Sequence, residues 1–130
     1  MGSSPTSSSI NYIMDEKTQI SQLSELKVMT DLANQGYHIF NQVSGKAPFD
    51  IVISKGTELK RVSIKSNSQK PNKLGKYQIQ LRRIRSNKTK NKIYKIEDNE
   101  FDILAIYIKE EDRIVYLSIN EVKGRSTINI

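Results

Sequence analysis

The chain has 130 residues, no cysteine, a single histidine (His38) and a net charge of +7 from 21 Lys+Arg against 14 Asp+Glu. That length suits one domain, and the composition excludes a disulfide framework, a Cys-ligated metal and a His-rich zinc site within one chain. No apolar run approaches the roughly 20 residues of a membrane span and no signal-peptide pattern opens the chain, so we expect a soluble intracellular protein, cytoplasmic or nucleoid-associated, with no membrane partner.

Residues 1–17 begin Ser-rich and without periodicity, which reads as a disordered leader or a cloning remnant, leaving 18–130 as a single domain. Thr18 to Asn34 carries residues at helical spacing: Ile20, Leu23, Leu26 (or Lys27), Met29 (or Thr30) and Leu32-Ala33. Thr18 or Ser21 is the expected cap, and Gly36 the stop signal. Glu25, in mid-helix, reads by itself as a solvated carboxylate paired with Lys27 or a neighbour. Tyr37 to Val43 is the first strand, with His38 on its surface or in the core, and Ser44 to Pro48 a loop.

The next stretch holds the chemistry. Phe49-Asp50-Ile51-Val52-Ile53 and Arg61-Val62-Ser63-Ile64-Lys65 are β-branched runs joined through a Ser54-Lys55-Gly56-Thr57 turn, a β-hairpin pattern. An acid opens one strand and a lysine ends the next. Strand side chains alternate, so Ser63 and Lys65 point the same way, and Asp50 would meet Lys65 at one edge of a small sheet. Taken singly, Asp50 reads as a strand-edge carboxylate accepting backbone N–H groups, and Lys65 as a lysine snorkelling at a strand end.

From Lys60 to Lys95 there are 13 basic residues and no acidic one, which leaves eight basic against 14 acidic elsewhere. Such a segment suits a phosphate backbone, against the plainer reading of a solvated lysine-rich face. Within it, Ser66 to Lys76 is a basic loop carrying Lys70, Lys73 and Lys76. Tyr77 to Arg82 alternates as a half-exposed strand, with Tyr77, Ile79 and Leu81 on one face and Gln78, Gln80 and Arg82 on the other. Arg83, Arg85, Lys88 and Lys90 continue as a basic turn or loop. The lysines should touch phosphates, whereas Gln78, Gln80, Arg82, Arg83 and Arg85 have the chemistry to read adenine and guanine in a major groove. Phe101 to Lys109 is a core strand. Glu110-Glu111-Asp112 turns into a strand over Arg113 to Ser118, and a short helix capped by Asn120 follows.

Taken together, these blocks resemble the PD-(D/E)xK nuclease superfamily, and most closely its group I intron-encoded homing endonucleases. The resemblance rests on Ser24-Glu25-Leu26-Lys27-Val28, Gln35-Gly36-Tyr37, Ile39-Phe40, Phe49 to Ile53, Arg61 to Lys65, Tyr94, Phe101 to Tyr107 and Val115 to Ile119, in that order. It spans about residues 18–122. It implies an α/β, restriction-endonuclease-like core: a mixed central β-sheet flanked by helices, in the order αβββ…β. It implies a metal-dependent DNA endonuclease that uses Mg2+ or Mn2+ on double-stranded DNA, working as a homodimer or homotetramer. The family's acids and lysine carry over to Glu25, Asp50 and Lys65, with Asp50, Glu25 and the backbone carbonyl of Ile64 as metal ligands. The family's second acid falls on Ser63, a departure that costs a carboxylate. An enzyme managing with Asp50 and Glu25, a natural pseudoenzyme and an engineered inactive variant all fit that departure, and Glu58 on the same hairpin is a candidate replacement. Restriction-type and Holliday-junction-type nucleases, and a non-catalytic DNA-binding module, remain the alternative readings.

Overall fold

The computed structural model describes residues 13–81, 83–86, 91–94 and 100–130, with backbone alone for 83–86 and 91–94. The N-terminal residues 1–12, Arg82, Lys88 and Lys90, and the side chains of Arg83, Arg85 and Tyr94, lie outside that description.

Helix α1 runs Glu16–Asn34, two residues earlier than the periodicity suggests. Its cap is Asp15, not Thr18 or Ser21: the Asp15 carboxylate accepts the Thr18 N–H at 2.7 Å, satisfying one of the free donors of the first turn. Gly36 closes it with φ +94°, a backbone state only glycine takes without strain. The buried stripe also differs from the expected one. Ser24, Val28 and Leu32 face the core, while Leu23 and Leu26 stay exposed. The serine is tolerated there because its hydroxyl donates to the Ile20 and Ser21 carbonyls at 3.0 and 2.9 Å, so no polar group is left unpaired and the small side chain lets the helix sit close to the sheet.

Five strands form one mixed sheet in the order β1-β2-β3-β7-β8: β1 His38–Asn41, β2 Ile51–Lys55, β3 Glu58–Asn67, β7 Ile103–Ile108 and β8 Arg113–Ser118. All neighbours are antiparallel except β3 and β7, which run parallel. The β2–β3 hairpin is tighter than expected. Lys55 pairs with Glu58, so Gly56-Thr57 alone make the turn, with Gly56 at φ +65°. β7 is buried on both faces, which explains its unbroken apolar run. On one face Ala105 packs with Val28, Leu32, Ile51, Ile53 and Val62 beneath α1. On the other, Leu104, Ile106 and Ile108 pack with Tyr77, Ile79, Leu81, Phe101 and Val122.

That second face is covered by a two-stranded ribbon, β4 (Gln78–Gln80) with β9 (Thr127–Asn129). The expected alternation over Tyr77 to Leu81 is present: Tyr77, Ile79 and Leu81 are buried, Gln78 and Gln80 exposed. β9 has no counterpart in the sequence reading. The basic stretch expected as turn or loop contains a hairpin instead, β5 Arg83–Ser86 paired with β6 Asn91–Tyr94. A single 3-10 turn, Lys109–Glu111, joins β7 to β8 through Asp112 at φ +47°. The short helix α2, Ile119–Val122, is capped by Ser118 rather than Asn120, with the Glu121 carboxylate accepting the Ser118 N–H at 3.1 Å.

Candidate active site

The site is made by a gap in the sheet. The last registered pair between β2 and β3 is Ile51 with Val62, and the Asp50 N–H still reaches the Val62 carbonyl at 2.9 Å. Beyond that point β3 runs on to Asn67 beside β7 alone. Backbone groups along a strand alternate in direction. Arg61 accepts from the Asp102 N–H, on the β7 side, whereas Val62 accepts from the β2 side. Ile64, two residues on, therefore turns its N–H and its carbonyl toward the side that β2 has left. The Asp50 carboxylate takes the place of the absent strand and accepts the Ile64 N–H at 2.6 Å.

A strand N–H lies in the plane of its sheet, so the acceptor carboxylate lies near that plane. Glu25 approaches from the helix side. Burial raises its carboxyl pKa, and the negative charge of Asp50 raises it further. Lys65 approaches from the opposite face, in register with Ile106. Burial pushes the Asp50 pKa up, against the Ile64 N–H and the Lys65 charge, which pull it down. Ser63 shares the Lys65 face by alternation. The carboxylate that accepts a backbone N–H also feels the Lys65 charge.

Glu25, Asp50 and Lys65 are thus brought together, with Ser63 and the Ile64 carbonyl beside them. The pairing of Glu25 with Lys27 does not form: Lys27 bonds Asp112 at 3.0 Å. Glu58 is no substitute for the acid lost at Ser63. It lies at the turn end of the hairpin, bonded to Lys60 at 3.4 Å, and the five residues from Glu58 to Ser63 span roughly 16 Å of strand. Among the described residues no three His, Cys, Asp or Glu side chains gather as a metal cluster. The donor set is two carboxylates, a carbonyl and a hydroxyl, hard oxygen ligands of the kind that suit Mg2+ or Mn2+, ions that need only one or two protein carboxylates. Two carboxylates that each resist ionisation, one of them partly through the other's charge, make a place where a divalent cation is electrostatically favoured.

A polar cleft of about 450 Å³ opens beside Lys65, between the end of β3, Ser21 of α1 and the Gln78–Gln80 strand. A larger groove, about 630 Å³, runs between α1 and the β7–β8 end past Leu23, Leu26 and Asp31. It holds neither Ile64 nor Lys65, which both line the smaller cleft, so the smaller cleft is the one that adjoins the candidate chemistry. Lys70, Lys73 and Lys76 are exposed on the loop leading from β3 into β4. Asn72 organises that loop: its side-chain oxygen accepts the Leu74 and Lys76 N–H groups at 2.9 and 3.0 Å.

The family model for PD-(D/E)XK endonucleases matches residues 14–130. This chain belongs to the PD-(D/E)XK endonuclease family. Among solved structures, a bacterial homing endonuclease, I-Ssp6803I, matches with a TM-score of 0.78 and 20% sequence identity, over 89% of this chain and 78% of that one. At that identity the likeness speaks for the fold, and it agrees with the mixed sheet and its flanking helix. No curated protein sequence matches the chain. The family assignment makes the chain a nuclease by descent.

Proposed function

We propose that this PD-(D/E)XK family member is a divalent-metal-dependent endonuclease that cuts double-stranded DNA at a preferred site. The observation that carries the reading is the convergence of Glu25, Asp50 and Lys65 at the end of β2, beside a polar cleft lined by Lys65; the loop that joins its two walls carries the exposed Lys70, Lys73 and Lys76. A homing endonuclease is among the solved structures similar to this chain, which favours a specific duplex over a generic one.

In this reading Asp50, fixed by the Ile64 N–H, and Glu25, on a rigid helix, hold the cation together with the Ile64 carbonyl. A bound Mg2+ or Mn2+ supplies charge stabilisation at the phosphate and an acidified water. Lys65 offers an ammonium to orient that water or to oppose the negative charge that develops on the phosphate. Ser63 orients water through its hydroxyl but adds no charge. Lys70, Lys73 and Lys76 hold the sugar–phosphate backbone without reading sequence. Arg83, Arg85 and, beyond the described residues, Arg82, Lys88 and Lys90 extend the same basic segment. One chain carries one such site, so cutting both strands takes two or four copies.

A second reading, a DNA-binding module with a degenerate site, is favoured by one observation: Ser63 stands where the family's second acid is expected. Incubation with supercoiled plasmid and a pooled linear target library, under Mg2+, Mn2+ or chelator and beside Asp50→Ala, separates the two. Metal-dependent cutting that vanishes in the variant supports the nuclease. Tight DNA binding without cutting under either ion leaves the binding module.

A further inference from the structure

The ribbon beside the cleft has two strands, and only one of them announces itself in the sequence. The register pairs Gln78 with Asn129, Ile79 with Ile128 and Gln80 with Thr127. Backbone bonds extend it at both ends: Tyr77 and Ile130 exchange N–H groups at 2.8 and 2.9 Å, and the Leu81 N–H reaches Ser126 at 2.8 Å. Residues directly opposite in an antiparallel pair share a face. Tyr77, Ile79 and Leu81, with Ile128 and Ile130, therefore form the inner face, and all five pack into the core around Leu104 and Ile106. Gln78, Gln80, Thr127 and Asn129 form the outer face, where both glutamines and Asn129 are exposed. Between Gln78 and Gln80 and between Thr127 and Asn129 that face carries no charge, although the loop before it carries Lys70, Lys73 and Lys76.

We infer that the β4–β9 ribbon is a major-groove reader and that Asn129, opposite Gln78, is a specificity-determining residue. The inference deepens the nuclease reading and rests on it. A two-stranded ribbon fits the major groove, and Asn or Gln pairs with adenine through one donor and one acceptor. A lysine cannot do this, because it has donors only. Opposed side chains on a ribbon stand about 5 Å apart, and alternate residues along one strand about 7 Å. Gln78 and Asn129 thus address the same or adjacent base pairs, while Gln80 addresses one about two steps away. The buried isoleucines fix these positions in advance, so little ordering remains to be done on binding. Gln78 and Gln80 also line the cleft that holds Lys65, which places the bases read next to the phosphate attacked.

The test is binding to a randomised duplex library in chelator, followed by sequencing of the bound fraction, for the unaltered chain, Asn129→Ala, Asn129→Gln, Gln78→Ala, the Gln78→Ala/Asn129→Ala double variant and Lys73→Ala. Asn129→Ala should relax preference at one base-pair position by roughly tenfold to a hundredfold, the worth of one bidentate contact. Gln78→Ala should relax the same or the next position, with the double variant losing less than the product of the two. The salt dependence of these amide variants should be unchanged. Lys73→Ala should weaken all sequences alike and reduce the salt slope by about one. Asn129→Gln, which keeps the amide, should retain or displace a preference rather than erase it. An Asn129→Ala protein with the original sequence profile, or one weakened uniformly across the library, overturns the inference while leaving the nuclease reading intact. An unaltered chain that binds no duplex overturns both.

Discussion

The carboxylate of Asp50 accepts the backbone N–H of Ile64 at 2.6 Å, across the place where β2 has ended and β3 continues. One side chain thereby completes the sheet's hydrogen bonding and stands at the proposed cation site. Removing it does two things, which two substitutions can separate. Asp50→Asn keeps an oxygen for the Ile64 N–H and should unfold in urea within about 1 kcal/mol of the unaltered chain. Asp50→Ala leaves that N–H without its partner and should lose about 1–2 kcal/mol. Both should abolish metal-dependent cutting. An asparagine variant that still cuts would remove Asp50 from the proposed ligand set.

Ser63 precedes Ile64, whose N–H this carboxylate accepts, and adds no charge there. Ser63→Glu places a third carboxylate on the Lys65 face, and divalent ion affinity, read by calorimetric titration, should rise at least about tenfold. If affinity is unchanged, the Ser63 side chain does not face the cation.

The titration of the site has a definite sign. Asp50 and Glu25 both have raised pKa values, chiefly through burial. A carboxyl with a folded pKa above its unfolded one holds its proton more tightly in the folded chain. Its ionisation therefore costs stability: the cost is absent below the unfolded pKa and complete above the raised folded one. In chelator, urea denaturation at a series of pH values should show this contribution declining as pH rises through that window, and Asp50→Asn should remove part of the decline. Mg2+ supplies the opposing charge, so it should raise the melting temperature near neutral pH and much less under acid conditions. A melting temperature indifferent to Mg2+ at neutral pH counts against a cation between these two groups.

A second carboxylate ties the start of β3 to β7. Asp102 accepts the Arg61 backbone N–H at 2.7 Å and its guanidinium at 3.2 and 3.3 Å, while its own N–H reaches the Arg61 carbonyl. The Arg61 guanidinium, foremost, lowers the Asp102 pKa. That contribution is present above the unfolded pKa and lost as pH falls through the lowered folded one. Both side chains are partly exposed, so solvent weakens the ion pair. Asp102→Ala should cost about 1–2 kcal/mol, because a backbone donor also loses its acceptor. Arg61→Ala keeps that backbone bond and should cost less than half as much. Equal losses would show that the ion pair dominates.

Much of this molecule was legible in its residues. Strand alternation marked Tyr77 to Leu81, the β-branched runs marked the β2–β3 hairpin, and the acid and lysine at its strand ends marked Asp50 and Lys65. These signals are local, with periods of two or 3.6 residues, and a chain carries them wherever the element ends up. The helix stripe agrees with the periodicity at Leu32 but turns on Ser24 and Val28 rather than Leu23 and Leu26, because Ser24 satisfies its own hydroxyl, an accommodation that composition does not record.

What the linear order left open was which segments become neighbours. The early end of β2 beside the continuing β3 opens the gap that Asp50 fills, and the packing of α1 brings Glu25 to it. The return of β9 to β4 sets Asn129 opposite Gln78, 51 positions away in the chain. Local sequence decided the elements, because backbone sterics and side-chain alternation act over a few residues. Only the tertiary structure decided the site and the ribbon, because burying both faces of β7 determines where α1 and the last strand must lie.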